Sequence, residues 1–373
     1  MGAASGLRLA LLSPCYFPEV KRGTERIVRE LAGDLAERGH EPVVVTSHPG
    51  RPSVRREDGF SVVRQWRPPE ERLTRRLFYE HMTHLPFSYA TLRAARFDLA
   101  HAFFPTDATV AARWSERTER PSVFSYMGLP ERPVLADKRE KLRIVTRAVT
   151  GVDAVVVLSE TAAAGMKRWL GVEARVIHPG VDLEVFSPGG ERAPEPTIFC
   201  AAAADDGRKR VDLLVAAFRE LRRRRADARL VLVRPRDAGA VGRLGLDEPG
   251  IELIEPVDSP AALAPHYRRA WVSALTSYRE AFGLVLVESL ACGTPVVATR
   301  SGAIPEVVDR EDIGVLFDSD DPVEVARSLD DALALADEPG TVAACVARAR
   351  DFSTERCADA HEALYRELLS ARG

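Results

Sequence analysis

Two carboxylates, Glu280 and Glu288, stand eight positions apart in the stretch SYREAFGLVLVESLACGTPVVATRSGAIPEVV (277–308), with Gly283 between them. Each carboxylate offers two acceptor oxygens and so suits vicinal hydroxyls. From Phe282 the apolar residues recur with helical spacing as far as Cys292, and Gly293 sits where a left-handed stop belongs. This predicts Glu280 in the loop before a helix and Glu288 about two turns inside it. Gly283 removes a side chain that would keep a ligand from the backbone N–H groups, and a helix start after a strand suits phosphate. A diphosphate flanked by hydroxylated groups, as in a sugar nucleotide, would use every one of these features. The E-x7-E spacing alone is weak, since a loop charge and a half-buried helix residue account for it as simply.

A second cluster, GRKR (207–210), sets Arg208, Lys209 and Arg210 before a helix at a strand's end. Lys209 is one of very few lysines in an arginine-rich chain. Three cations there fit diphosphate binding better than a solvated helix start does. Other constellations read as structural. DSDD (318–321) precedes a helix and is assigned to capping and surface. His81 and His84 form an H-x-x-H pair with no evident carboxylate partner and are expected on the surface. The five cysteines are scattered without zinc spacing and read as free thiols of a reducing compartment.

The chain has 373 residues, 46% hydrophobic and 29% charged, the balance of a soluble globular protein with two or three domains. A net charge of −3 gives no electrostatic case for nucleic acid. No run of 18 apolar residues exists, and Leu7–Leu12 leads into Ser-Pro-Cys, so a buried first strand fits better than a signal peptide. Residues 54–83, with many arginines and Trp66, Leu77, Phe78 and Tyr79, would suit peripheral contact with an anionic membrane; interleaved acids favour a solvated face.

Strand, helix and strand over 7–13, 24–39 and 41–47 form a βαβ unit, with Thr24 as expected N-cap and Gly39 as stop. Further strands are expected at 97–103, 121–127, 152–159 and 174–180. SPGGERAPEP (187–196) reads as a linker about which domains could close, and the rhythm restarts with strands at 197–203, 228–234, 251–257, 271–277, 295–300 and 314–318. The fold class is α/β with two Rossmann-like doubly wound parallel-sheet domains, ligands being expected in a cleft between them. The domains are drawn as 1–187 and 188–352, with helix 353–373 free to pack on either domain, including back on the first. No G-x-G-x-x-G follows a strand, which argues against a nicotinamide oxidoreductase.

The segment with E-x7-E, FGLVLVES, ACGTPVVAT and GAIPEVV resembles the donor-site signature of the GT4 family of retaining glycosyltransferases, which have the GT-B fold. RGTERIVRELAGDLAERGHEPVVVTS, VDAVVVLSE and HPGVDLEVF are similar to other parts of that family, in order, over nearly the whole chain. The resemblance implies metal-independent, cofactor-free, cytoplasmic transfer from a nucleoside-diphosphate sugar, UDP- or GDP-linked, to a glycan, lipid-linked or small-molecule hydroxyl. It implies that Glu280 contacts the donor sugar and Glu288 the ribose. Backbone at Phe282, Gly283, Leu284 and Gly23 would face sugar and diphosphate, with Lys209 and Arg208 on the leaving group. Departures exist: Arg22 replaces one loop glycine, Ala203 and Ala204 replace a Gly-Arg, Met127 replaces a sugar-pocket histidine, and Phe103 follows a retained His101. A pentose or 6-deoxy donor would fit the loss at Met127, although a repacked pocket is the plainer reading. A non-catalytic nucleotide-sugar-binding protein with a degenerate site is the alternative.

Overall fold

In a computed structural model, which describes residues 6–69, 80–202, 204–257 and 259–372, every strand expected from an apolar run forms. The first sheet holds β1 (Arg8–Leu12), β2 (Glu41–His48), β3 (Ser53–Glu57), β4 (Phe60–Trp66), β5 (Leu99–Ala102), β6 (Ser122–Tyr126), β7 (Ala154–Val157) and β8 (Arg175–Val176). Its order is β3-β4-β2-β1-β5-β6-β7-β8. All neighbours run parallel except β3 and β4. The second sheet holds β9 (Thr197–Cys200), β10 (Arg229–Val233), β11 (Ile251–Ile254), β12 (Val272–Leu275), β13 (Val296–Thr299) and β14 (Gly314–Phe317). It is wholly parallel, in the order β11-β10-β9-β12-β13-β14. One compact unit comprises Met1–Pro179 with Thr354–Gly373, and the other Gly180–Ser353.

Helix Gly23–Glu37 lays Ile27, Val28, Leu31 and Leu35 on the first sheet. Its N-cap is Arg22, two residues before the expected Thr24. The Arg22 N–H donates to Glu25 Oε2 at 3.2 Å, and Glu25 is fully buried. The last helix, Thr354–Ser370, shares this core through Cys357, Leu364 and Tyr365, and Arg38 binds both Asp359 and the Glu355 carbonyl. The stretch 187–196 belongs to the second unit. The Ala193 N–H donates to Arg269 O at 2.9 Å, and Trp271 Nε1–H to Ala193 O at 2.8 Å.

Sequence pattern missed β3 and β4. Their charged residues read as a solvated face, yet Asp58 and Gly59 between them have φ of 48° and 85°, the two-residue hairpin turn that Asp-Gly favours. Of segment 54–83, Trp66 is 45% exposed, and residues 70–79, with Leu77, Phe78 and Tyr79, lie outside the described residues. Among the described residues no helix is long and apolar enough to cross a membrane. All five cysteines are free and buried.

The H-x-x-H expectation is corrected. His84 is only 1% exposed and does have a carboxylate neighbour: its Nε2 lies 3.6 Å from Oδ1 of Asp107, which is fully buried. Burial pushes the Asp107 carboxyl up to about 8 and the His84 ring down to about 3, so both are uncharged near neutrality. The raised Asp107 favours the fold while protonated and loses that contribution as pH climbs to about 8. The lowered His84 loses its contribution only as pH falls below its ordinary 6.5. Between pH 6.5 and 8 the pair therefore makes unfolding easier as pH rises. Asp107→Asn should flatten that fall, measured as denaturant midpoints at both pH values; an equal fall in parent and variant would refute it.

Candidate active site

Chain order in the second sheet reverses between β9 and β12. At such a reversal the two following loops leave in opposite directions and open a crevice at the strands' carboxyl ends, where doubly wound sheets hold ligands. The loops leaving β9 and β12 carry Lys209 and Glu280. Lys209 Nζ lies 2.7 Å from Glu280 Oε2, with the side chains 23% and 18% exposed.

Local chemistry builds each half of this pair. Asp206 caps a single 3-10 turn, Gly207–Lys209, by accepting from the Arg208 N–H at 3.0 Å. Arg210 then takes a left-handed conformation, φ 49°. The buried Thr276 hydroxyl, just past β12, reaches the Lys209 and Arg210 carbonyls at 2.8 and 2.9 Å. The Tyr278 N–H donates to Arg208 O at 2.8 Å. On the far side the Ala303 N–H donates to Glu280 O at 2.9 Å, and the Arg279 N–H to Ser301 Oγ at 3.1 Å. The ion pair is thus held by backbone clamps on both loops, not by two free side chains.

The three cations expected to cradle an anion each have a carboxylate. Arg208 pairs with Asp206 at 2.7 Å, Lys209 with Glu280, and Arg210 with Asp320 at 2.6 Å. Asp320 belongs to DSDD, whose next residue, Asp321, caps helix Pro322–Leu335. The hydrogen-bonded Asp206 carboxylate holds the Arg208 guanidinium above its ordinary value.

The helix after Glu280 starts two residues later than its apolar spacing suggests. It spans Leu284–Ala291, with Gly283 as N-cap at φ 99°, so Glu288 is its fifth residue and lies about one turn in. Phe282 stays outside the helix because its ring is buried against Phe352, centroids 5.3 Å apart. Leu284 opens the helix and is half-buried. The first N–H groups of a helix have no intrahelical acceptor, so the backbone from Gly283 onward offers donors beside Glu280. Glu288 is fully buried and accepts from the Tyr267 hydroxyl at 2.8 Å, fastening this helix to Pro260–Arg269.

Comparison with known proteins settles the family. Residues 21–185 match the model described as Glycosyltransferase Family 4, and residues 195–334 the model described as Glycosyl transferases group 1. A D-inositol 3-phosphate glycosyltransferase of Nocardiopsis dassonvillei is 32% identical, over 82% of this chain and 80% of that protein. The chain belongs to glycosyltransferase family 4. The Mycobacterium tuberculosis protein of the same name is 37% identical over 52% of this glycosyltransferase and 44% of its own length. Among solved structures, sucrose-phosphate synthase of Thermosynechococcus elongatus superposes with a TM-score of 0.82 at 24% identity, covering 97% and 99% of the two chains. Anabaena HepE, solved with UDP and glucose, gives 0.70 at 17% identity, covering 96% and 99%. These likenesses establish the GT-B fold.

Three further residues of the glycosyltransferase were expected at the site, all in the first unit. Gly23 opens helix Gly23–Glu37, and a Cβ built there would meet nothing within 4 Å. Met127 is half-buried and packs on the core of the first unit. His101 is not a pocket residue in this structure. It is fully buried, its Nδ1 is 2.7 Å from the Tyr365 hydroxyl and its Nε2 2.7 Å from Ser125 Oγ. Burial holds it well below its ordinary value, and no ring nitrogen is left for a sugar. Of the replaced Gly-Arg, Ala204 is half-buried and Ala203 lies outside the described residues. Pattern reasoning missed Thr276, Asp206 and Tyr267. Only Asp206 had a signal, an Asp before Gly at a helix start.

The two glycines should behave oppositely. A Cβ at Gly283 would sit at φ 99° and 3.3 Å from Leu286 Cδ1, so Gly283→Ala should cost about 1–2 kcal/mol of stability. Gly23 has no positive φ, and Gly23→Ala should be neutral or add roughly 0.4–1 kcal/mol. Urea midpoints of both variants check this.

Proposed function

We propose that this glycosyltransferase moves a sugar from a nucleoside diphosphate, UDP or GDP, to a hydroxyl acceptor with retention of configuration. The Lys209–Glu280 pair at the reversal of strand order carries the reading. A cation at the edge of a helix start can stabilise a departing diphosphate, and a carboxylate beside it can accept from sugar hydroxyls. The resting pair implies an exchange. The incoming diphosphate takes Lys209, with Arg208 drawn from Asp206, and Glu280 is released to the sugar. Backbone donors at Gly283 and Leu284 share the phosphate charge. The acceptor hydroxyl then attacks on the face the diphosphate leaves, which passes its proton to the leaving phosphate and keeps the anomeric configuration. Since protein groups supply the charge, no bound metal is needed, and chelator treatment should leave turnover unchanged.

Glu288 is assigned to the ribose by resemblance alone; its observed contact is Tyr267. The inositol 3-phosphate relatives name a small hydroxylated acceptor, and HepE was solved with UDP and glucose. A small-molecule acceptor and a UDP-sugar are accordingly the first substrates to try, with UDP-xylose against UDP-glucose testing the change at Met127.

Glu280→Gln and Lys209→Gln should each lower kcat/KM by about 10²–10³ with the fold intact, read as nucleotide release in a donor and acceptor screen. Anomeric proton couplings of the product give the stereochemistry. Inverted product, or a Glu280→Gln rate within twofold of the parent, would overturn the proposal.

A further inference from the structure

Arg348 lies in the last turn of helix Thr341–Ala349, far along the chain from Glu280, and its side chain is only 15% exposed. A guanidinium presents five donors in a planar fork, so one group can serve several acceptors at once. Its Nε–H donates to the Val307 carbonyl at 3.1 Å, and Nη2 donates to the Glu306 carbonyl. Its charge is met by Asp351 at 3.0 Å and Asp309 at 3.2 Å. The same group lies over the Phe352 ring, 4.7 Å from its centroid, an attraction that strengthens as water is removed.

These contacts lead to Glu280 by two routes. Along the first, the buried Phe352 ring meets the buried Phe282 ring edge to face. The Phe352 backbone is fixed as well, since its carbonyl accepts from the Val181 N–H at 2.8 Å. Phe282 follows Glu280 by two residues and directly precedes the left-handed Gly283, so a displaced ring would move both. Along the second, Glu306 and Val307 end the short helix Ile304–Val307. Carbonyls at a helix end have no intrahelical donor, and Arg348 supplies one to each. The residue before that helix, Ala303, holds the Glu280 carbonyl through its N–H at 2.9 Å. An arginine that only closed a helix would need one of these routes. Both converge on one carboxylate residue, gripped at its own carbonyl and again two residues beyond.

We infer that Arg348 is a positioning residue of the transfer site, setting Glu280 against Lys209 through Phe352–Phe282 and through residues 303–307. That the place is a transfer site rests on the proposed function; that Arg348 sets the ion pair does not. The pair has little slack. Lys209 Nζ and Glu280 Oε2 stand 2.7 Å apart, and a loop shifted by about 1 Å would leave them beyond hydrogen-bond reach.

The strength of the pair can be measured on the full chain without any ligand, as the coupling between Lys209→Gln and Glu280→Gln in urea unfolding. In an Arg348→Met background, which keeps the length of the side chain and removes its donors, that coupling should fall by about half or more. Arg348→Lys, with the charge but not the fork, should fall between parent and Arg348→Met. Phe352→Leu should lower the coupling less than Arg348→Met, because the second route is left. Arg225 pairs with Asp330 in the same unit, and Arg225→Met should leave the coupling unchanged whatever it does to the urea midpoint. No coupling in the parent, or an equal loss in Arg225→Met, overturns the inference. So does an undiminished coupling in Arg348→Met or, where that variant does not fold, in both Arg348→Lys and Phe352→Leu. Binding then reads function, as the affinity for UDP-glucose relative to UDP. Glu280→Gln and Arg348→Met should each lower that ratio roughly three- to tenfold. A ratio lowered by Glu280→Gln and not by Arg348→Met also overturns the inference. A coupling that falls in Arg348→Met while neither variant moves the ratio supports the positioning role and counts against the transferase proposal.

Discussion

One ion pair at one place in a sheet organises the second unit. Lys209 and Glu280 come from loops 71 residues apart in sequence, and they meet because chain order reverses between β9 and β12. With both side chains more than three-quarters buried, the charges stand in poor solvent and attract strongly, and either alone would be unfavourable. That demands stiff loops. The Thr276 hydroxyl and the Tyr278 and Ala303 N–H groups supply the stiffness through hydrogen bonds to main-chain carbonyls, and Gly283, left-handed at φ 99°, caps the helix that starts beside Glu280.

The apolar runs made the fold legible. Strands buried on both faces are nearly continuous Val, Leu, Ile and Ala, and helices between them carry a single stripe, so β1, β2 and β5 to β14 could be read off by pattern. The hairpin β3–β4 could not, because an edge strand facing solvent need not be apolar. Its one local signal, Asp58-Gly59, was outweighed by arginines around it. Helix starts were legible only where propensity decides. Thr24 is a good cap by type, yet Arg22 caps, because buried Glu25 turns back to the Arg22 N–H. Phe282 has the right spacing for the next helix, yet its ring is claimed by Phe352.

The site was legible as residue types and not as partnerships. Glu280 and Lys209 stand out by motif and rarity, but nothing in a linear sequence says that they touch, or that Arg208 and Arg210 are each matched by an aspartate. His101 shows the limit from the other side. It lies on a strand whose neighbours are apolar, and a strand position does not reveal whether its partner is a ligand or, as here, the hydroxyl of Tyr365 from the far end of the chain.

Three cations with three carboxylates make a resting site that is close to neutral, and this has a mechanical meaning. A bare cluster of cations would attract any anion and would repel itself while empty. Paired cations avoid both, at the cost that a ligand must outbid carboxylates already in place. A lone phosphate can replace one partner of Lys209 but gives Glu280 nothing in return. A diphosphate bearing a sugar, as proposed, would replace the anion at Lys209 and offer hydroxyls to the carboxylate it displaces. Only a ligand with both features would satisfy both halves of the broken pair, so under the proposed function the ion pair would select for the whole donor over its fragments before any sugar-specific contact is made.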